Sequence, residues 1–369
     1  MDEINRAGPS DEIEELQSVD ELSDLEQDVN GKPAESPLLA EPGPRSLVRS
    51  FEKYPEPFAL IDSTQSFVYV NPQFRNFLRK FAYPESSSFL KTFNTAFESE
   101  QRKDFLEALA SPDRGYAWKE TVSHKNVFRK EAGTVVTEVH VMPFWSERNL
   151  DTRPSAYLVY LDDETDKNKN FLRMNLESLL RASLQKDRDT GNHVRRVNFY
   201  SKRLAEALYK EPRWPQVDAD FIENIGFLAA MHDVGKIGTP DDILNKEGPL
   251  DEFEWKVMKE HTINGAYILS SYPQRMAKEI ALSHHEWWNG SGYPYNLEGT
   301  QIPLAARIVT LADVYDALRM KRSYKAPYPH EVAIQKIRQE RGVHFDPELV
   351  DIVLSIEPEF REIHAVNAD

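Results

Sequence analysis

The sequence predicts an α+β chain, with a mixed α/β domain followed by an all-helical one. Three observations carry that expectation. Short apolar runs bounded by turn residues recur between Phe58 and Leu161, the pattern of strands. From about residue 186 onward, apolar residues recur at helical spacing, broken by Gly and Pro. Residues 1–45 contain no aromatic residue and are rich in Glu, Asp, Ser and Pro.

Composition narrows the function classes. A chain of 369 residues suggests two or three domains. It is 40% hydrophobic, enough for real cores. There is no cysteine, so disulfides and Cys-type zinc sites are excluded, and any metal must be held by His and carboxylate. No run of about 18 apolar residues occurs, so no transmembrane helix is expected. The start, Met-Asp-Glu, lacks a charged-then-apolar leader, and a cytoplasmic location is the expectation. Net charge is -16, and residues 1–45, with 13 acidic and 3 basic residues, supply -10 of it. The remainder is mildly acidic, which argues against a nucleic-acid polymer as partner. It leaves room for a local basic pocket.

In chain order, residues 1–45 read as a disordered acidic tail, because they bury too little apolar area to offset chain entropy. Ile13, Leu16, Val19 and Leu22 could form a short partner-docking helix within it. Residues 46–165 read as one domain. Phe58–Ile61 and Phe67–Val70 make a hairpin around Ser63-Thr64-Gln65, and Asn71-Pro72 starts a short helix. Three more strands are expected near 118–122, 135–142 and 156–161. Residues 166–188 form a linker helix whose stripe of Phe171, Met174, Leu176, Leu179, Leu180 and Leu184 pairs with a second copy or packs on its own domain. Residues 189–369 form the helical domain. Its expected helices include one from Phe221 through His232 and another from Met276 to Trp288.

The strand, strand, helix, three-strand order resembles a PAS domain. So do the opening Leu60-Ile61-Asp62 with Phe67-Val68-Tyr69-Val70-Asn71 and the exit Asp162-Asp163-Glu164-Thr165-Asp166. The resemblance implies a sensor or dimerisation module. Without cysteine a flavin adduct is excluded, and no organic cofactor is expected there.

The chemistry lies in the helical part. In order come His232-Asp233, His261, His284-His285-Glu286 and Asp313. Taken singly, each has a plain explanation: a local hydrogen bond, an ordinary core histidine, or a helix charge such as Asp313 or Asp316. As a series, they are the donors that iron, manganese or zinc takes. Asp233 could bridge two ions that clamp a phosphate and activate water near neutral pH. Lys236, three residues on, reaches the same place. Gly292-Tyr293-Pro294 cannot continue a helix, so the chain turns there.

Residues 186–355 resemble the HD-GYP phosphodiesterases of the HD superfamily. The matching stretches run from His232 to Lys246, from Met258 to Leu269, from His284 to Pro294, from Ile302 to Leu318, Arg322 to Lys325, and Phe345 to Val350. The resemblance implies a centre of two or three divalent metals, iron or manganese, and hydrolysis of cyclic di-GMP to pGpG or GMP. It implies His232, Asp233, His261, His284, His285 and Asp313 as ligands, with Asp189 and His193 for a third ion. It implies Asp233 and Lys236 in catalysis, and Gly292, Tyr293, Pro294, Arg322 and Lys325 beside substrate. The sequence also suggests a homodimer through the PAS-like domain and linker helix, with signalling proteins as further candidate partners. Asp189 stands where the family has Glu, Asn289 where it has Asp, and Arg319 where it has a small polar residue. These departures keep a second reading open: a receptor or interaction module that holds cyclic di-GMP with little or no turnover.

Overall fold

The computed structural model describes residues 42–367 apart from 82, 85, 95, 111–117, 126–133, 146–153, 187–190 and 321–325. The helix expected within residues 13–25 lies outside the described residues. The chain is α+β, with a PAS-like domain ahead of an all-helical one. The first described helix, α1 (Pro42–Phe51), takes in the last four residues of the stretch expected to be tail.

β1 (Phe58–Ile61) and β2 (Phe67–Val70) form the expected hairpin, with Gln65 at φ 66° in its turn. Asp62 stabilises that turn, its Oδ1 accepting from the backbone of Thr64 and Ser66. α2 (Pro72–Lys80), α3 (Phe89–Thr92) and α4 (Ser99–Ala110) follow. β3 (Trp118–Lys125), β4 (Thr134–Phe144) and β5 (Ala156–Asp163) complete one antiparallel sheet of order β2-β1-β5-β4-β3. β4 alternates strictly, with Val135, Thr137, Val139 and Val141 turned inward. α2–α4 cover that face through Phe74, Phe89, Phe93 and Phe105, all fully buried.

Asn71 does more than start α2. Its Oδ1 accepts from the backbone of Phe74 (2.8 Å) and Phe58 (3.0 Å), and its Nδ2 donates to the Glu56 carbonyl (2.8 Å). One buried amide thus caps a helix and fixes the entry to β1.

α5 (Thr165–Leu184) leaves the sheet and crosses to the helical domain. Leu176, Leu179, Leu180 and Leu184 pack on that domain's core, whereas Phe171 and Met174 stay exposed. The apolar stripe is therefore divided: its C-terminal part packs within the same chain. The helical domain continues with α6 (Gly191–Tyr209), α7 (Ala219–Leu228), α8 (Asp241–Leu244), α9 (Glu252–Lys259), α10 (His261–Ile268) and α11 (Arg275–Ser283). α12 (Leu304–Arg319), α13 (His330–Gln339), α14 (Pro347–Ser355) and α15 (Glu357–Val366) close it. α12 is buried nearly all round, as a central helix must be apolar on every side. At its C-terminal half Tyr315 meets Tyr200 and Phe360 edge-on, and those two rings stack on each other.

Two expected helices end early. α7 stops at Leu228 and tightens into a 3₁₀ turn, Ala229–Met231, followed by a second, Val234–Gly238. His232 and Asp233 sit between these turns and not within an α-helix. α11 stops at Ser283, so Glu286–Trp288 already belong to the loop. Glu286 draws that segment away from the helix by accepting backbone hydrogen bonds from Tyr295 and Leu297.

Asn71→Ala is expected to lose about 2–4 kcal/mol, the cost of a lost cap and unsatisfied buried amides. Chemical denaturation checks this, and a loss below about 1 kcal/mol would contradict the role given to Asn71.

Candidate metal centre

Two groups of metal-binding side chains converge where α6, α10, α11 and α12 meet the paired 3₁₀ turns. One holds Asp233, His261, His284 and His285; the other holds His193, His232 and Asp313. Within each group the donor atoms lie within 4.8 Å of one another. Asp233 lies between them. Its Oδ1 faces His261 Nε2 (3.3 Å) and His284 Nε2 (3.7 Å), while its Oδ2 faces His232 Nε2 (3.2 Å) and Lys236 Nζ (2.8 Å). Asp313 Oδ1 faces His193 Nε2 (3.4 Å) and His232 Nε2 (4.0 Å).

The backs of four of the five imidazoles are tied down. Nδ1 of His232 meets the Ala229 carbonyl (2.8 Å), and Nδ1 of His261 meets that of Met258 (2.7 Å). Nδ1 of His284 meets the carbonyls of Ile280 and Ala281. Nδ1 of His193 meets Asp316 Oδ2 (2.8 Å). A neutral ring facing an acceptor through Nδ1 carries its proton there and turns the Nε2 lone pair inward, as ligating histidines do. The Nε2 atoms of His261 and His284 approach to 3.4 Å. His232 Nε2 and Asp233 Oδ1 are buried with no hydrogen-bond partner. Converging lone pairs and orphaned buried donor atoms are what a cation would satisfy, and the residues present fit divalent metal.

Electrostatics agree with ligand character. Burial pushes His261 down to about 4. Burial and the neighbouring His284 and His261 hold His285 well below the usual range, so both rings are neutral at pH 7. Burial opposes ionisation of Asp233, yet Lys236 and His232 outweigh it and keep the carboxyl well below its ordinary value. Burial also disfavours a charged His232, but Asp233 lifts it to about 9. A metal ion at this ring must displace that proton.

Glycines set the approach. A Cβ on Gly235 would lie 1.8 Å from the His261 carbonyl, so only glycine lets the Asp233 turn touch the start of α10. A Cβ on Gly292 would lie 2.2 Å from Trp287 N, so the loop folds back against the histidine segment. That fold, which includes a cis Tyr293–Pro294 bond, stacks Tyr293 on His285 at 4.7 Å and 23°. Gly292 thus shapes the loop, and Tyr293 is the member of the triplet that meets a candidate ligand.

Glu286 departs from the sequence expectation. Glu286 is buried and binds loop amides, turned away from the donors. Asn289 is exposed and caps its own turn by accepting from Ser291 N and Oγ. Arg319 donates to the Tyr328 carbonyl. Asp189, Arg322 and Lys325 lie outside the described residues. Sequence reasoning missed Asp316, Arg196 and Thr310. Asp316, fully buried, accepts from Arg196 Nε (2.7 Å) as well as facing His193. Thr310 Oγ1 donates to the His284 carbonyl (2.7 Å). The available signal was the three-residue spacing of Thr310, Asp313 and Asp316, which puts them on one face of α12.

A family model described as HD domain matches residues 184–349. The chain thus carries an HD domain over these residues. Its HD domain is of the HD-GYP type, with Gly292, Tyr293 and Pro294 as the triplet. A Vibrio cholerae protein named 3′3′-cGAMP-specific phosphodiesterase 2 is 44% identical over 191 residues, covering 51% of this chain and 35% of its own length. A second from that organism, a probable cyclic di-GMP phosphodiesterase, is 44% identical over 200 residues, covering 51% and 45%. A cyclic di-GMP phosphodiesterase from Thermotoga maritima is 39% identical over 204 residues, covering 54% of each. The chain thus spans about half, or less, of the length of these relatives.

Asp316→Ala strips the buried Arg196 of its carboxylate. It is expected to cost about 3–5 kcal/mol, as breaking a buried pair does. Asp316→Asn, which keeps the shape, is expected to retain more stability while lowering metal occupancy of the HD domain. Full metal content in Asp316→Asn, measured by elemental analysis, would contradict an orienting role through His193.

Proposed function

We propose that this chain is a metal-dependent phosphodiesterase that hydrolyses cyclic di-GMP to pGpG or GMP. The observation that carries the reading is the shared carboxylate: one aspartate, Asp233, between two groups of inward-facing imidazoles. The relatives' names support the substrate class, a cyclic dinucleotide containing guanine.

The residues that would hold two divalent ions are Asp233, His261, His284 and His285 on one side, and Asp233, His193, His232 and Asp313 on the other. Iron or manganese suits this donor set of nitrogen and carboxylate. Such ions supply positive charge to phosphate oxygens and activate water as nucleophile. The protein's own part is positioning. His232, His261 and His284, each 1–2% exposed, form a dry floor, whereas the side chains of Asp233 and Asp313 keep 23% and 21% exposure on the open side. Lys236 stands at that opening beside Asp233, where its ammonium can meet a phosphate or the departing oxygen. Hydrolysis adds water across one P–O3′ bond, leaving a 5′-phosphate and a free 3′-hydroxyl. That gives pGpG, and a second cut gives GMP. Arg322 and Lys325 are assigned to the substrate phosphates by resemblance. The PAS-like domain and α5 regulate the reaction, and exposed Phe171 and Met174 on α5 favour self-association there.

The test is turnover of cyclic di-GMP by purified chain with manganese or iron(II), followed by chromatography, with 3′3′-cGAMP in parallel. Release of pGpG or GMP is expected. Exclusive cleavage of 3′3′-cGAMP would correct the substrate, and binding without any product would favour the receptor reading. Asp233→Ala is expected to lose metal and turnover together, with activity down at least about a hundredfold. Full metal stoichiometry in that variant would sink the bridging role.

A further inference from the structure

α5 connects the sheet to the candidate centre without a spacer. β5 ends at Asp163 and α5 begins at Thr165. The start of the helix is stitched to β4. The backbone of Glu164 donates to the Val136 carbonyl (2.9 Å), and the backbone of Val136 donates to Thr165 Oγ1 (3.0 Å). Midway, Lys169 and Arg173 both pair with Glu223 on α7, the helix that leads to His232. Leu176 and the leucines after it pack on the helical core.

The far end reaches the centre itself. Leu180, Ser183 and Leu184 line a small cavity whose other walls include His193, His232 and Asp233. Two residues beyond α5, Lys186 Nζ donates to the carbonyls of Ile237 (2.9 Å) and Thr239 (2.6 Å). It also lies 3.3 Å from Asp241 Oδ1. An ammonium has three donors, and here three acceptors surround it. Ile237 and Thr239 end the 3₁₀ turn that starts directly after Asp233 and contains Lys236. The carbonyls at the end of such a turn have no partner within it, and a cation is a favourable one. The same ammonium therefore holds the turn closed and joins it to α5.

We propose that Lys186 is a positioning residue for the metal centre. It fixes the turn that presents Asp233 and Lys236, and so makes α5 the element through which the PAS-like domain acts on that centre. The inference rests on reading the two donor groups as a metal site. It does not depend on which nucleotide is cut.

The test uses the full chain with Lys186→Met and manganese as probe. Mn²⁺ affinity is measured by titration calorimetry, and melting is followed for the metal-free protein. The expected result is about tenfold weaker manganese binding, the size of effect seen when groups supporting metal ligands are lost, with metal-free melting unchanged. Lys186→Arg, which still donates to carbonyls, is expected to recover most of the affinity. Unchanged manganese affinity in Lys186→Met would overturn the proposal. So would lower metal-free stability with unchanged affinity in the folded fraction, since that marks a purely structural tie. If Lys186→Met does not fold, the same two readings are taken on Lys186→Gln, which keeps a neutral donor. A wild-type chain that binds manganese but hydrolyses no cyclic dinucleotide would refute the proposed reaction and leave the Lys186 result standing. Unchanged affinity in the variant would do the reverse.

Discussion

The helical domain is arranged around one half-buried anion, the Asp233 carboxylate. An isolated carboxylate out of water costs several kcal/mol, so it persists only where positive charge or hydrogen bonds surround it. Here its two oxygens face different ways, one toward His261 and His284 and the other toward His232 and Lys236. His232, His261 and His284 are each held from behind by a carbonyl, and His193 is held by Asp316. The short turn on which Asp233 sits can approach α10 only because residue 235 lacks a side chain. Sequence, local backbone and chemistry thus meet at one place: a Gly three residues from a His makes the contact that aims a carboxylate between two donor groups.

α12 supplies the complementary frame. Thr310, Asp313 and Asp316 follow one another at three-residue intervals on one face of a helix buried nearly all round. The first holds the His284 backbone, the second reaches His193 and His232, and the third fixes His193 while neutralising the buried Arg196. Because α12 has apolar neighbours on every side, these three side chains have little freedom to drift. This rigidity suits a metal site, whose ligands must hold their geometry before the ion arrives.

Much of this was legible in the sequence. His232, Asp233, His261, His284, His285 and Asp313 stand at positions where chemistry restricts residue type, and the structure brings all six together with His193 and Lys236. The alternation in β4 and the Asn71-Pro72 start of α2 could be read from period and capping alone. The supporting contacts could not. Asp316 reads as an ordinary helix charge until α6 brings Arg196 and His193 against it, and that contact spans more than a hundred residues of chain. Glu286 looks like a third ligand beside two histidines, but backbone amides of the loop after it claim its oxygens. The stripe on α5 shows periodicity but not partner, because the same spacing serves a second copy or the chain's own core. The structure divides it, with the leucines inward and Phe171 and Met174 outward. The 3₁₀ turns around His232 also escaped, since a helical apolar pattern does not show where a helix tightens.

The shared carboxylate is tested most directly by anomalous diffraction from crystals of the full chain grown with manganese. Two manganese peaks are expected, one among His261, His284 and His285 and one among His193, His232 and Asp313, with Asp233 touching both. A single peak, or two peaks of which only one touches Asp233, would contradict a centre built on that carboxylate.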